Sequence, residues 1–139
     1  MEGEARMSGG WAPSPGHIVR AEVQYADSEH TKSRFPVVVS SNEFNLAHPE
    51  LIVAFATRSG NIQRPRDYDV EISSKHVGFK NTGLTESTTV RCGRLWTIDK
   101  RKVADWIGVV PEDLLGDIQR LVLRCFGKPG EIAHSEGRR

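Results

Sequence analysis

Two short runs, "PVVV" at 36–39 and "ELIVAFA" at 50–56, constrain the fold of this chain most. Both are continuous rather than alternating, so a strand built on either must be covered on both faces. Both are far too short to cross a membrane. They are expected to be central strands of a β core, the first extending through "PVVVSS" (36–41). Weaker strand signals surround them. "HIVRAEVQY" (17–25) alternates imperfectly, as a strand with one solvated face does. "YDVEI" (68–72) is a short strand, and "TTVRC" (88–92) and "RLWTI" (94–98) are two more, with Gly93 at a kink or bulge between them. "NEFNLAHP" (42–49) reads as a turn with a single helical turn over 42–45. Residues 73–87 hold two glycines and several turn formers, so they form a loop.

Only "PEDLLGDIQRLVLRCFG" (111–127) is plainly helical. Leu114, Ile118, Leu121 and Cys125 recur at helical spacing, with Leu115 and Val122 beside them. Pro111 suits the first turn, and Glu112 and Asp113 complement the positive end of the dipole. Gly127 and Pro129 stop the helix. Gly116 inside it costs about 1 kcal/mol relative to alanine, tolerable in a packed helix. The fold class is therefore mainly β (α+β): a small, strongly curved antiparallel sheet or barrel covered by one helix. The 139 residues suffice for one self-supporting domain. It is expected over 15–127, between flexible tails at 1–14 and 128–139 that are rich in Gly, Pro, Ser and charge. The N-terminus lacks the apolar stretch of a signal peptide, and a cytoplasmic protein is expected. Cys92 and Cys125 lie far apart in sequence and read as reduced, mostly buried thiols.

The net charge of +1 names no partner. Its distribution says more: between His30 and Lys102, Lys and Arg outnumber Asp and Glu by twelve to seven, so the middle of the chain can offer a positive face to phosphate. Three polar residues sit at strand ends. Arg34 enters the valine strand, Thr57 leaves the strand that follows, and Arg91 ends "TTVR". If those strands are neighbours, the three side chains converge on one anion, an arrangement that suits a phosphodiester.

The ordered set "PGHIVRAEV", "EHTKSRFPVVVSSNEFN", "LIVAFAT", "TGLTESTTVRCGRLWTIDK" and "VVPEDLLGDIQRLV" resembles the MazF/PemK (Kid) family of toxin ribonucleases from bacterial toxin–antitoxin pairs. The resemblance spans residues 16–123. It implies an SH3-like antiparallel barrel of the CcdB/PemK kind with a C-terminal helix, as a homodimer. It also implies a sequence-selective endoribonuclease (an mRNA interferase) that cuts single-stranded RNA without metal and is neutralised by a cognate antitoxin. By the same resemblance, Arg34 contacts the scissile phosphate and Thr57 hydrogen-bonds it. Glu29 stands where one branch of the family has a catalytic glutamate, and Arg91 matches the arginine of the PemK-type "RCDQPRTID" motif.

The chain departs from the family pattern at several points. Phe35 separates Arg34 from Pro36 where the family has Arg-Pro, and either a bulge absorbs it or the arginine shifts. Gly93 replaces the PemK-type aspartate and can transfer no proton, which leaves an Arg–Thr mechanism assisted by Glu29 or His30. His30 has a suitable pKa for that role, although loop carboxylates and histidines are commonly just solvated. Arginine itself, with a pKa above 12, stabilises charge rather than donating protons. Arg91 can equally be structural, paired with Asp99 or Glu86. The further candidates for RNA contact are His30, Lys32, Arg58, Arg64, Arg66, Lys75, Lys80 and Arg94. Trp96 can stack a base, but core or dimer packing is the stronger expectation. The five histidines show no metal-ligand spacing, and neither metal nor cofactor is expected. A member of this fold family poisons gyrase by binding protein and cuts nothing, so a catalytically silent binding module is the alternative.

Overall fold

The computed structural model describes residues 12–24, 31–64 and 66–133, and within these the side chains of 23, 24 and 31–33 are not placed. Seven strands form one antiparallel sheet. Strand β1 (His17–Gln24) lies between β7 (Val103–Val109) on one side and β2 (Thr31–Arg34) and β3 (Val37–Val38) on the other. From β3 the order continues through β4 (Glu50–Arg58), β6 (Thr88–Asp99) and β5 (Asp69–Ile72). Among the described residues two α-helices accompany the sheet, α1 (Asn42–Ala47) and α2 (Glu112–Arg124). The mainly β fold with a C-terminal helix is the one expected from the sequence.

Alternation sorts the buried residues onto two faces. Ile18, Val37, Ala54, Ala56, Val70, Ile72, Val90 and Cys92 form one cluster with Ile118 of α2, and Leu114, Leu115, Leu121 and Val122 pack on it. This is the helix face. The neighbouring positions Val19, Ala21, Val38, Leu51, Val53, Ile98 and Val103 form the second cluster, to which no helix among the described residues contributes. There the curled sheet covers itself, so this is the inner face. The central strands bury apolar side chains on both faces, which is why "ELIVAFA" has no alternation to show.

Several details differ from the sequence reading. "PVVVSS" is a strand only at Val37–Val38. Ser40 leaves the ladder to anchor a buried polar knot: its Oγ donates to Asn45 Oδ1 and accepts from Ile52 N at 3.0 Å. Asn45 Nδ2 donates to the carbonyls of Pro13 (2.6 Å) and Ser40 (3.0 Å), and Lys100 Nζ donates to the Asn45 carbonyl. One amide thus ties α1 to the segment at Pro13 and, through Ser40, to β4. The expected single turn is a capped helix, with Ser41 Oγ accepting from Phe44 N at 3.1 Å. Residues 88–99 are one strand, not two, with a bulge inside it. Glu50–Ala54 of β4 pair with 95–99 of β6, and Phe55–Arg58 pair with 88–91, so 92–94 have no counterpart in β4. Strands β2 and β7 carry no clear sequence signal. Strand β7 instead holds Gly108, whose α-carbon is closely overlain by the backbone of Asn81 and Thr82.

Candidate active site

The register decides which strand-end side chains meet. Ala21 is opposite Arg34 and Ile18 is opposite Val37, the same register on both sides of Phe35 and Pro36. Phe35 is therefore taken up without a bulge. Arg34 keeps the face of Ala21 and Val38, the inner face, while Phe35 turns to the other side and is exposed. Across β3 and β4, Val37 is opposite Ala54 and Val38 opposite Val53. The β3–β4 ladder ends at Val37, and Arg34, three residues before it, pairs with β1. In β4, Thr57 follows Leu51, Val53 and Phe55 on the inner face and pairs with Thr89 of β6. Arg91 is opposite both Phe55 and Asp69, again on that face. Arg34, Thr57 and Arg91 thus project from three strands onto the inner face, where the sheet opens beyond the closed cluster.

The connection from β4 to β5 walls this opening. Asn61, Ile62, Gln63, Arg64, Arg66 and Arg91 line a cleft of about 600 Å³. Asn61 Nδ2 reaches Thr57 Oγ1 at 3.4 Å, and Ser59 Oγ shares a 2.8 Å hydrogen bond with Thr89 Oγ1. Arg91 Nη2 lies 3.5 Å from Asp69 Oδ2, with the two side chains only 15% and 7% exposed. Asp69 Oδ2 also accepts from Arg66 N at 2.9 Å. The Arg91 Nε is buried with no hydrogen-bond partner. Arg94 leaves the bulge with its guanidinium 5.1 Å from the centre of the Phe55 ring. Forked guanidinium groups around a threonine hydroxyl can bind a tetrahedral oxyanion from several directions. Among the described residues, no group of three or more His, Cys, Asp or Glu side chains gathers to hold a metal ion.

The sequence candidates divide accordingly. Arg34, Thr57, Arg91 and Arg94 share the inner face, and Arg64 and Arg66 stand at its rim. Arg58 is turned away: it pairs with Thr88 on the helix-face side of β4, and its Nε meets Glu86 Oε2 at 3.2 Å. Lys75 and Lys80 are carried by the 73–87 loop, whose Phe79 and Leu84 pack against the helix-face cluster, so they do not join the group. That loop is tied to α2 through His76 Nε2 and Asp113 at 3.1 Å, and the imidazole contact lowers the Asp113 pKa. Glu29 and His30 lie outside the described residues, as does the side chain of Lys32. The partner of Arg91 is Asp69, not Asp99 or Glu86; Asp99 binds Arg101 and Glu86 binds Arg58. Asp69, Asn61 and Phe55 were not among the sequence candidates. Asn61 stands four residues after Thr57, a spacing only a helical turn makes useful, and one 3₁₀ turn is present there (Ser59–Asn61).

Gly93 sits in the bulge on the other side. A β-carbon there would lie 3.9 Å from Cys125 Sγ and 4.0 Å from Tyr68 Cβ. Burial pushes the neighbouring Cys92 thiol up to about 12, with Cys125 and Asp69 adding to the shift.

Residues 14–126 match the sequence model of a family described as PemK-like, MazF-like toxin of type II toxin–antitoxin system. Comparison with curated proteins finds no match. Among solved structures, an endoribonuclease in complex with its cognate antitoxin, from a mycobacterial species, superposes with a TM-score of 0.66 at 19% identity, over 86% of this chain and 100% of that one. MazF from Deinococcus radiodurans gives 0.64 at 18% identity, over 85% and 99%. A MazE–MazF structure from the same organism gives 0.61 at 18%, over 84% and 98%. At these identities the shared property is the fold.

Proposed function

The chain belongs to the PemK-like, MazF-like toxins of type II toxin–antitoxin systems, and we propose that it is a sequence-selective endoribonuclease. On this reading it cleaves single-stranded RNA without metal and is held inactive by a cognate antitoxin. Arg34, Thr57 and Arg91 on one face of the same sheet, the last two on adjoining strands, are the observation that supports it. Two mycobacterial endoribonucleases of the same fold, one of them bound to its antitoxin, add to it.

The chemistry follows from the groups present. The RNA 2′-hydroxyl attacks the adjacent phosphorus in line, giving a 2′,3′-cyclic phosphate and a free 5′-hydroxyl. Negative charge accumulates on the non-bridging oxygens as the phosphorane forms. Preorganised donors aimed at that charge lower the barrier, and removal of one such donor typically costs roughly 10²–10³ in rate. Arg34 and Arg91 supply forked N–H groups, and the Thr57 hydroxyl donates the third hydrogen bond. Asp69 holds the Arg91 guanidinium in place and leaves its outer edge for the anion. Glu29 and His30, five and four residues before Arg34 in the connection from β1 to β2, are the assigned proton handlers. DNA lacks the attacking hydroxyl and is not cut. Arg64, Arg66 and Arg94 contact the strand on either side of the scissile phosphate, and the active form is a homodimer.

Purified protein incubated with RNA in EDTA should leave cyclic phosphate ends, and Arg34→Ala and Thr57→Ala should each remove most of that activity. Two single variants that cut like wild type would sink the site assignment. Gly93 favours a second reading, a binding module that acts on a protein target. Retained growth arrest by the Arg34→Ala/Thr57→Ala double variant, with no RNA cut by either form, would establish it.

A further inference from the structure

Beside the phosphate-binding groups the inner face carries an aromatic pair that the chemistry above does not use. Phe55 stands two residues before Thr57 on the same face of β4, roughly 7 Å away along the strand, and directly opposite Arg91. Its ring meets Trp96 edge-on, with centroids 5.5 Å apart and planes at 74°. Arg94 covers the Phe55 ring at 5.1 Å. Deeper on the same strand, Leu51 and Val53 are fully buried, whereas Phe55 and Trp96 are only partly covered and Arg94 is exposed. The pair therefore ends the closed cluster and faces the opening.

The bulge is what puts two of these three residues there. Upstream of it, Val90 and Cys92 face the helix. Downstream, Leu95 faces the helix, and Trp96 and Ile98 face inward. An uninterrupted strand would send Arg94 and Trp96 to the helix face together with Val90 and Cys92. A flat aromatic ring, a second ring perpendicular to it and an exposed guanidinium over the first are the components of a site for an unpaired base. The base stacks on the ring or on the guanidinium plane, and any base is accepted because each has a π face.

We propose that Phe55, Trp96 and Arg94 form a nucleobase subsite that seats one unstacked base next to the scissile phosphate. This rests on the endoribonuclease reading. The distance from Thr57 to Phe55 suits a phosphate and a base joined to it, and stacking fixes the sugar between them so that its 2′-hydroxyl lines up with phosphorus.

The test uses the full chain and a mixed-sequence 2′-O-methyl RNA decamer, which lacks the attacking hydroxyl and stays intact. Binding should quench tryptophan emission, and Trp96→Phe should remove most of that quench. Phe55→Leu keeps apolar bulk but loses the π face, so it should weaken binding by about 5–100-fold with thermal unfolding little changed. Arg94→Ala, an exposed change, should weaken binding by a smaller factor and serves if Phe55→Leu unfolds. If Phe55→Leu and Arg94→Ala bind like wild type while Arg34→Ala binds weakly, the subsite is wrong and the endoribonuclease reading stands. If wild type neither binds the decamer nor cuts unmodified RNA, both fall. If Phe55→Leu instead dissociates a dimer without changing affinity for the decamer, the aromatic pair is an interface between chains and the proposal is overturned.

Discussion

Removal of the Asp69 carboxylate tests how Arg91 is held. The pair is 3.5 Å apart, and both side chains are more than four-fifths covered. Asp69→Ala leaves a guanidinium buried with no counter-ion and with an Nε that already has no partner. Breaking a buried pair from one side costs about 3–5 kcal/mol, because the surviving charge is not resolvated. The lost cap on Arg66 N is part of this cost. For a chain of this size, 1 kcal/mol corresponds to roughly 3–5 °C in Tm, so a fall on the order of 10–20 °C is expected. Arg91→Leu should also be costly, since it leaves the Asp69 carboxylate, only 7% exposed, with the Arg66 N–H but no cation. In that background Asp69→Ala should cost only about 1 kcal/mol. Urea unfolding of the four proteins closes the cycle. Equal costs of Asp69→Ala with and without Arg91 would refute the reasoning, and so would a cost below about 0.5 kcal/mol, the range of an ordinary surface change.

Two glycines should respond in opposite directions. Gly108→Ala places a β-carbon 2.3 Å from the Thr82 backbone and should destabilise by about 1–3 kcal/mol or more. Gly116→Ala meets only the Arg120 side chain at 3.5 Å and should stabilise by about 0.5–1 kcal/mol, both read from denaturant midpoints. Cys92 predicts an alkaline slope. Its pKa is raised from 9.0 in the open chain to about 12 in the fold, so between those values the unfolded chain releases a proton that the native chain retains. Stability present below pH 9 should therefore fall as pH rises toward 12, and Cys92→Ala should flatten the dependence. A wild-type midpoint that falls with pH no faster than the variant's would contradict the assignment. Native Cys92 should also resist alkylation at neutral pH.

Which parts of this molecule the sequence discloses depends on how local the cause is. The continuous apolar runs disclose the central strands, and the 3.6-residue pattern discloses α2 with its caps, because burial and capping act within a few residues. Strand β2 was hidden because its residues are polar and its pairing comes from β1. Strand β7 was hidden because its constraint is a glycine packed beneath a distant loop. The positions of Arg34, Thr57 and Arg91 at strand ends were legible, but their common face is a matter of register, which no single strand encodes. The same holds for Arg91. Its partner sits on β5, and choosing Asp69 over Asp99 or Glu86 requires knowing that residue 69 pairs with 91. Phe55 was concealed in a run that reads as core, and that is core on either side of it at Ala54 and Ala56.

The three unpaired residues of β6 have a consequence for how such a chain can vary. Inside and outside are assigned along a strand by counting in twos, so an odd insertion acts as a shift of phase. Everything upstream of 92–94 is written in one phase and everything downstream in the other. Any later change in that segment by one residue would exchange Trp96 and Ile98 with their neighbours, turning an apolar lining into a surface. A change by two would leave the phase intact and merely lengthen or shorten the arm that holds Arg94. Lineages of this fold can therefore retune what borders Thr57 and Arg91 in steps of two residues without rebuilding the sheet, while steps of one are closed to them.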